Sequence, residues 1–163
     1  MPGLGNYRPR YRPRLPDSVP PAVPRLLGIA GLLPQLIAGY VLLENNNDWR
    51  FTALSMAYAY AALIFSFLGG LWWGLAAAAS KPPAWLWYAA VLPSLIALGS
   101  AWPWATGQPW PGPSMIVLGV ALIGSLAVDW QLQRTGIAPG WWLGLRIPLS
   151  IGLGGITLAI GLA

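Results

Sequence analysis

The chain has 163 residues, of which 56% are hydrophobic and only 8% charged, with a formal net charge of +5. A soluble domain carries about 25% charged residues, so this composition excludes a soluble globular enzyme, a disordered tail protein and a nucleic-acid-binding domain, and leaves an integral membrane protein. The absence of Cys and His removes thiolate chemistry, disulfides, the usual haem and zinc ligands and the usual general base, so neither cofactor nor metal is expected.

Residues 1–25 form a basic, Pro/Arg-rich tail. Tyr7-Arg8-Pro9-Arg10 is followed at once by Tyr11-Arg12-Pro13-Arg14, and further prolines stand at Pro16, Pro20, Pro21 and Pro24. Proline fixes φ and lacks an N–H, which predicts extended backbone here. Arg8, Arg10, Arg12 and Arg14 repel one another and want anionic company. They read either as a contact with anionic lipid or an acidic partner, or as a flank that keeps the N-terminus cytoplasmic.

Residues 26–163 read as an all-α transmembrane domain of five spans. The first, 26–43, is longer than a signal-peptide core of about 7–15 residues and has no clear cleavage site, so it is expected to be retained. Glu44 and the turn Asn45-Asn46-Asn47-Asp48 close it. Glu44 and Asp48 share that loop, but two carboxylates are too few for a calcium or magnesium site. The second stretch, 51–80, is uncharged and would reach ~45 Å as straight helix. It exceeds a hydrocarbon core of about 30 Å, so tilt, projection or a bend at Gly69-Gly70 is expected. The third span covers 84–102, and a Pro/Gly/Trp loop follows over 103–113. The fourth, 114–128, is short and closed by Asp129; the fifth, 142–163, holds one charge, Arg146.

Lys and Arg placement sets the orientation. With the N-terminus inside, the inside segments hold Arg25, Lys81, Arg134 and the tail arginines, while the outside segments hold only Arg50. This bias predicts a cytoplasmic N-terminus and a C-terminus on the opposite, periplasmic side of a bacterial inner membrane. Trp49, Trp85, Trp87, Trp102, Trp104, Trp110, Trp141 and Trp142 fall near span ends, where amphipathic indoles settle without any ligand.

Three features inside the spans bear on function. Ala62, Ser66, Gly70, Gly74 and Ala78 recur every fourth residue and form a ridge of small side chains. Such a ridge allows close helix packing, within the monomer or against another membrane protein. Pro34, Pro93 and Pro148 fall inside the first, third and fifth spans, and each frees a carbonyl. They either line a polar cavity or reflect the ordinary frequency of Pro in membrane helices, with Gln35 and Ser94 best placed to use the freed groups. Asp129 and Arg146 flank the short loop between the last two spans and are expected to form an ion pair that staples them.

Several motifs carry a resemblance. Gly31-Leu32-Leu33-Pro34, Ser66-Phe67-Leu68-Gly69-Gly70-Leu71-Trp72-Trp73-Gly74, Leu92-Pro93-Ser94, and Pro139 with Trp141-Trp142 and Leu145-Arg146-Ile147-Pro148-Leu149 occur in that order. Together they resemble domain-of-unknown-function family 3429, small bacterial inner-membrane proteins with a mitochondrial transmembrane relative. The resemblance covers roughly 24–163 and implies packed transmembrane helices, with no established activity to carry over. It departs at Trp72, where the family usually has His.

Two functional readings follow. The first is a non-enzymatic accessory or structural subunit packing against a larger membrane complex, respiratory or photosynthetic. The second is a small-molecule binding or transport protein with a Trp-lined cavity, similar in composition and length to the tryptophan-rich sensory proteins, which hold porphyrins and sterols. A membrane enzyme is the weakest reading, because acids, bases and metal ligands are all scarce.

Overall fold

The computed structural model describes residues 19–44 and 47–163. The expectations placed on Arg8, Arg10, Arg12 and Arg14 lie outside the described residues. The described chain is all-helical: α1 (Ala22–Ala30), α2 (Leu33–Leu43), α3 (Asn47–Ala78), α4 (Ala84–Ser100), α5 (Trp102–Ala105), α6 (Gly112–Gly124), α7 (Leu126–Arg134) and α8 (Trp142–Leu162). Among the described residues, 5 helical stretches are long and apolar enough to cross a membrane: Ala22–Leu43, Asp48–Ala78, Ala84–Ala105, Gly112–Arg134 and Trp142–Leu162. Large apolar side chains such as Leu63, Phe67, Leu95 and Ile151 are exposed on the bundle's exterior, as lipid-facing positions require.

The first span corrects two expectations. Helix begins at Ala22, inside the stretch read as extended, and Pro24 stands in its opening turn. There the missing N–H removes no intrahelical bond. Pro34 likewise sits at the start of α2, because the span breaks at Gly31-Leu32 instead of running through the proline. The break frees the Gly31 carbonyl, and the Tyr60 hydroxyl on α3 donates to it.

The fourth span does not stop at Val128. It continues to Arg134 and carries Asp129 inside it, because that carboxylate is neutralised within the bundle and need not reach water. Ser125 marks the joint between α6 and α7, where its Oγ donates back to the Leu122 carbonyl at 2.6 Å. Gly136, at φ 72°, provides the left-handed turn that ends α7.

The most extensive helix contacts are α3 with α4 and α6 with α8. Both depend on missing side chains, at positions other than the ridge at 70 and 74. A Cβ on Gly69 would lie 2.3 Å from the Ala90 carbonyl oxygen and 3.3 Å from Pro93 Cγ. α3 stays helical through Gly69-Gly70, so Gly69 admits α4 and does not interrupt the helix. On the other seam, Gly119 and Gly154 face each other's carbonyls, with a Cβ on either meeting the partner oxygen at 2.9 Å. Gly112 and Gly161 repeat the arrangement at 3.0 Å. Gly112 and Gly119 are spaced along α6 as Gly154 and Gly161 are along α8, so the two antiparallel helices are in backbone contact at two points.

Gly119→Leu is expected to lower detergent stability by about 1–3 kcal/mol through overpacking. Gly74→Leu, with nothing within 4 Å of its Cβ position, is expected to leave the melting temperature of the isolated protein unchanged. Parallel thermal melts check both; equal losses would show that α3 is packed on its Gly74 side.

Candidate functional site

The chemistry of the interior gathers on α8. Trp142 and Arg146 are one turn apart and so share a face, and Ser150 continues it a turn further on. The start of α8 is fixed by Gln133 on α7, whose Nε2 donates to the Gly140 carbonyl at 2.8 Å and whose Oε1 accepts from the Leu143 amide at 2.9 Å. This clip sets Trp142 and Arg146 against Asp129.

Asp129 is fully buried, and Arg146 is 7% exposed. Oδ2 of Asp129 accepts from Arg146 Nε at 2.8 Å. Oδ1 accepts from two indoles, Trp72 Nε1 on α3 and Trp142 Nε1 on α8, each at 2.9 Å. Arg146 Nη2 reaches Ser125 Oγ at 3.3 Å. A bare carboxylate in this setting would be prohibitive; three donors, one of them cationic, make it tolerable. The donors arrive from two other spans, so a single carboxylate ties together α3, α7 and α8.

Beside this cluster lies a cavity of about 390 Å³ between α1, α3 and α8. Its wall is almost wholly apolar, with Leu27, Ile64, Phe67 and Leu149 among its lining. Leu27 and Phe67 are also exposed on the outer surface, so the cavity opens sideways towards lipid. Trp141 and Trp142 line one end, and Arg146 is the only charged residue among the described lining. Asp129 is absent from that lining. The cavity therefore meets the guanidinium side of the ion pair, which can donate hydrogen bonds but not accept them.

Ser150 adds a second polar group. It lines the cavity, is 2% exposed, and its Oγ has no hydrogen-bond partner among the described residues. A helical serine commonly donates to a carbonyl one turn back; this one does not.

The residues singled out from the sequence separate. The structure brings Asp129 and Arg146 together. It does not gather the ridge: Ala62 and Ser66 are half-buried, whereas Gly70, Gly74 and Ala78 are exposed. Intramolecular packing is therefore corrected for Gly70 and Gly74, neither of which has an atom within 4 Å of its Cβ position. Gln35 and Ser94 use no proline-freed carbonyl. Gln35 Nε2 donates instead to Thr157 Oγ1 on α8 at 2.8 Å, and Ser94 pairs with Ser66 at 2.7 Å between hydroxyls.

Sequence reasoning noted Trp72 only as a departure from the family's usual His, missed Ser150, and took Trp142 for an interfacial anchor. Trp72 and Trp142 are buried at 3% and 9% exposure. The i, i+4 spacing of Trp142 and Arg146 was the available signal that both face one carboxylate.

Residues 20–163 match the family described as Protein of unknown function (DUF3429). No curated protein and no solved structure matches the chain significantly.

Asp129→Ala leaves Arg146 buried without its counter-ion and is expected to cost about 3–5 kcal/mol of stability. Asp129→Leu combined with Arg146→Met removes both charges and is expected to cost less than Asp129→Ala alone. Thermal melts in mild detergent give the comparison. If the losses simply add, the two side chains are not coupled.

Proposed function

The chain belongs to the DUF3429 family, and from its geometry we propose that it is a non-enzymatic membrane protein that takes a small amphipathic molecule from the bilayer into the cavity between α1, α3 and α8. The observation that carries this reading is the combination of a laterally open apolar cavity with Arg146 and an unpartnered Ser150 hydroxyl in its wall. A volume of about 390 Å³ falls in the range of small-molecule pockets, about 300–1,000 Å³. The buried acid Asp129 is outside the cavity lining and saturated with donors, which favours binding over catalysis.

The charge bias favours a bacterial inner membrane with the N-terminus on the cytoplasmic side and the C-terminus on the periplasmic side. The Trp141 end of the cavity then lies towards the cytoplasmic leaflet, on the side of the basic tail, whose arginines are suited to anionic headgroups. A second reading, as an accessory subunit of a larger complex, is favoured by the open small-residue face at Gly70, Gly74 and Ala78. A neighbouring helix could approach there as closely as α4 does at Gly69.

Ile64 lines the cavity and is half-buried, so Ile64→Trp should fill much of the space. Native mass spectrometry after mild extraction is expected to show a bound small molecule on the wild type and at least a roughly tenfold lower occupancy on this variant, equivalent to about 1.4 kcal/mol. Equal occupancy in the two would remove the cavity as the binding site. Retention of a second polypeptide, lost in Gly74→Leu, would support the subunit reading. A C-terminal reporter is expected to be active only on the periplasmic side, and cytoplasmic activity would reverse the orientation.

A further inference from the structure

Resting on the cavity reading above, we propose that the occupant is an uncharged lipid with an acyl chain, held through an ester or ketone carbonyl oxygen on Arg146 and Ser150. Three observations lead there. First, Arg146 has donors to spare. Its Nε serves Asp129 and its Nη2 reaches Ser125. Its Nη1 makes no hydrogen bond to a described residue. Arg146 lines the cavity, so this amino group is the one available to an occupant.

Second, the charge of Arg146 is already balanced. Asp129 sits against it at 2.8 Å, and among the described lining residues there is no other charge. An anionic headgroup would add a net negative charge to an apolar wall, with no further cation to offset it. A cationic headgroup would face the guanidinium directly. A neutral acceptor oxygen does neither, and it gains a charge-assisted hydrogen bond.

Third, Ser150 stands one helical turn beyond Arg146 with its Oγ almost completely buried and without a partner among the described residues. As a lining residue it can donate a second hydrogen bond to a carbonyl, which has two lone pairs. The remaining wall is aliphatic and aromatic, with Leu27, Ile64, Phe67 and Leu149 forming a trough suited to a hydrocarbon chain. The mouth opens where Leu27 and Phe67 meet the exterior, which lets such a chain enter from the bilayer without crossing water.

The test compares three molecules with the same chain on the full-length protein in mild detergent: 1-oleoylglycerol, oleate at about pH 9 where a carboxylate is ionised, and oleylamine. Bound fractions are read by native mass spectrometry. We expect 1-oleoylglycerol to bind at least about tenfold more tightly than either charged probe, a difference of about 1.4 kcal/mol. Because Ser150 Oγ has no partner among the described residues, Ser150→Ala should keep the wild-type melting temperature. It should weaken 1-oleoylglycerol about fivefold, the loss of one hydrogen bond. If oleate binds as well as or better than the glycerol ester, and Ile64→Trp abolishes it, the neutral-headgroup proposal fails while the cavity reading stands. If Ser150→Ala changes nothing, the carbonyl is not held there and the proposal fails. Binding of no probe, or equal binding to wild type and Ile64→Trp, overturns the proposal and the cavity reading together.

Discussion

One carboxylate organises the inner half of this bundle. Asp129 is buried to the last atom, and in a low-dielectric interior an ionised acid survives only if its oxygens are matched. The match comes from Arg146, Trp72 and Trp142, which belong to helices far apart in sequence. The requirement is geometric as well as electrostatic. Trp142 and Arg146 must stand on one face of α8, α7 must continue past Val128 to present the acid, and α3 must pass close enough for an indole to reach it. Much of what departs from a simple five-span reading follows from this: the longer fourth span, the Gln133 clip on the loop, and the burial of two tryptophans at positions where others anchor to the interface.

α8 also carries three of the buried polar side chains. Arg146, Ser150 and Thr157 fall on the inward side of α8 and differ in how far they are satisfied. Thr157 accepts from Gln35 and donates to the Leu153 carbonyl at 2.7 Å. Arg146 is partly used, and no described residue pairs with Ser150 Oγ. Polar atoms in a lipid-embedded bundle tend to find partners, since no bulk water is available to them. Elsewhere Gln35 Oε1, Trp110 Nε1 and Ser114 Oγ also have no partner among the described residues, while on α8 the unfinished part lies at the end of the stripe that borders the cavity. That coincidence, more than the size of the cavity, is why the space reads as a binding site and not as loose packing.

The helix contacts that hold this arrangement in place are backbone contacts. Without a hydrophobic drive between helices in lipid, close approach and dispersion must supply the cohesion. Gly69 against Ala90, and the paired glycines of α6 and α8, provide it. They also leave α1 comparatively free of the bundle, its main helix contact being with α8. The cavity lies under this lightly held half-span, and the break after α1 is kept in order by Tyr60 on the opposite wall. A space lined on one side by a short, lightly packed helix can admit a chain from the bilayer without disturbing the glycine seams.

Composition and run length were enough to determine the all-α membrane class and the number of spans, because the cost of placing unpaired polar groups in hydrocarbon leaves few alternatives. The Asp129–Arg146 pairing was legible too, since a short loop brings the ends of two spans together. The boundary at Val128 was misread because a charge ends a span only if the fold does nothing to satisfy it; Pro34, read as lying inside the first span, instead follows a break at Gly31-Leu32. The small-residue ridge was legible as a pattern but not as a contact, and the glycine that admits α4 is Gly69, one residue and about 100° of helix away from Gly70. Which side of a uniformly apolar helix faces inward is not encoded in its hydropathy, because lipid and protein interior are equally apolar. Trp72, Ser150 and the cavity were decided only in three dimensions. Their meaning lies in which neighbour, from a distant part of the chain, does or does not answer each polar atom.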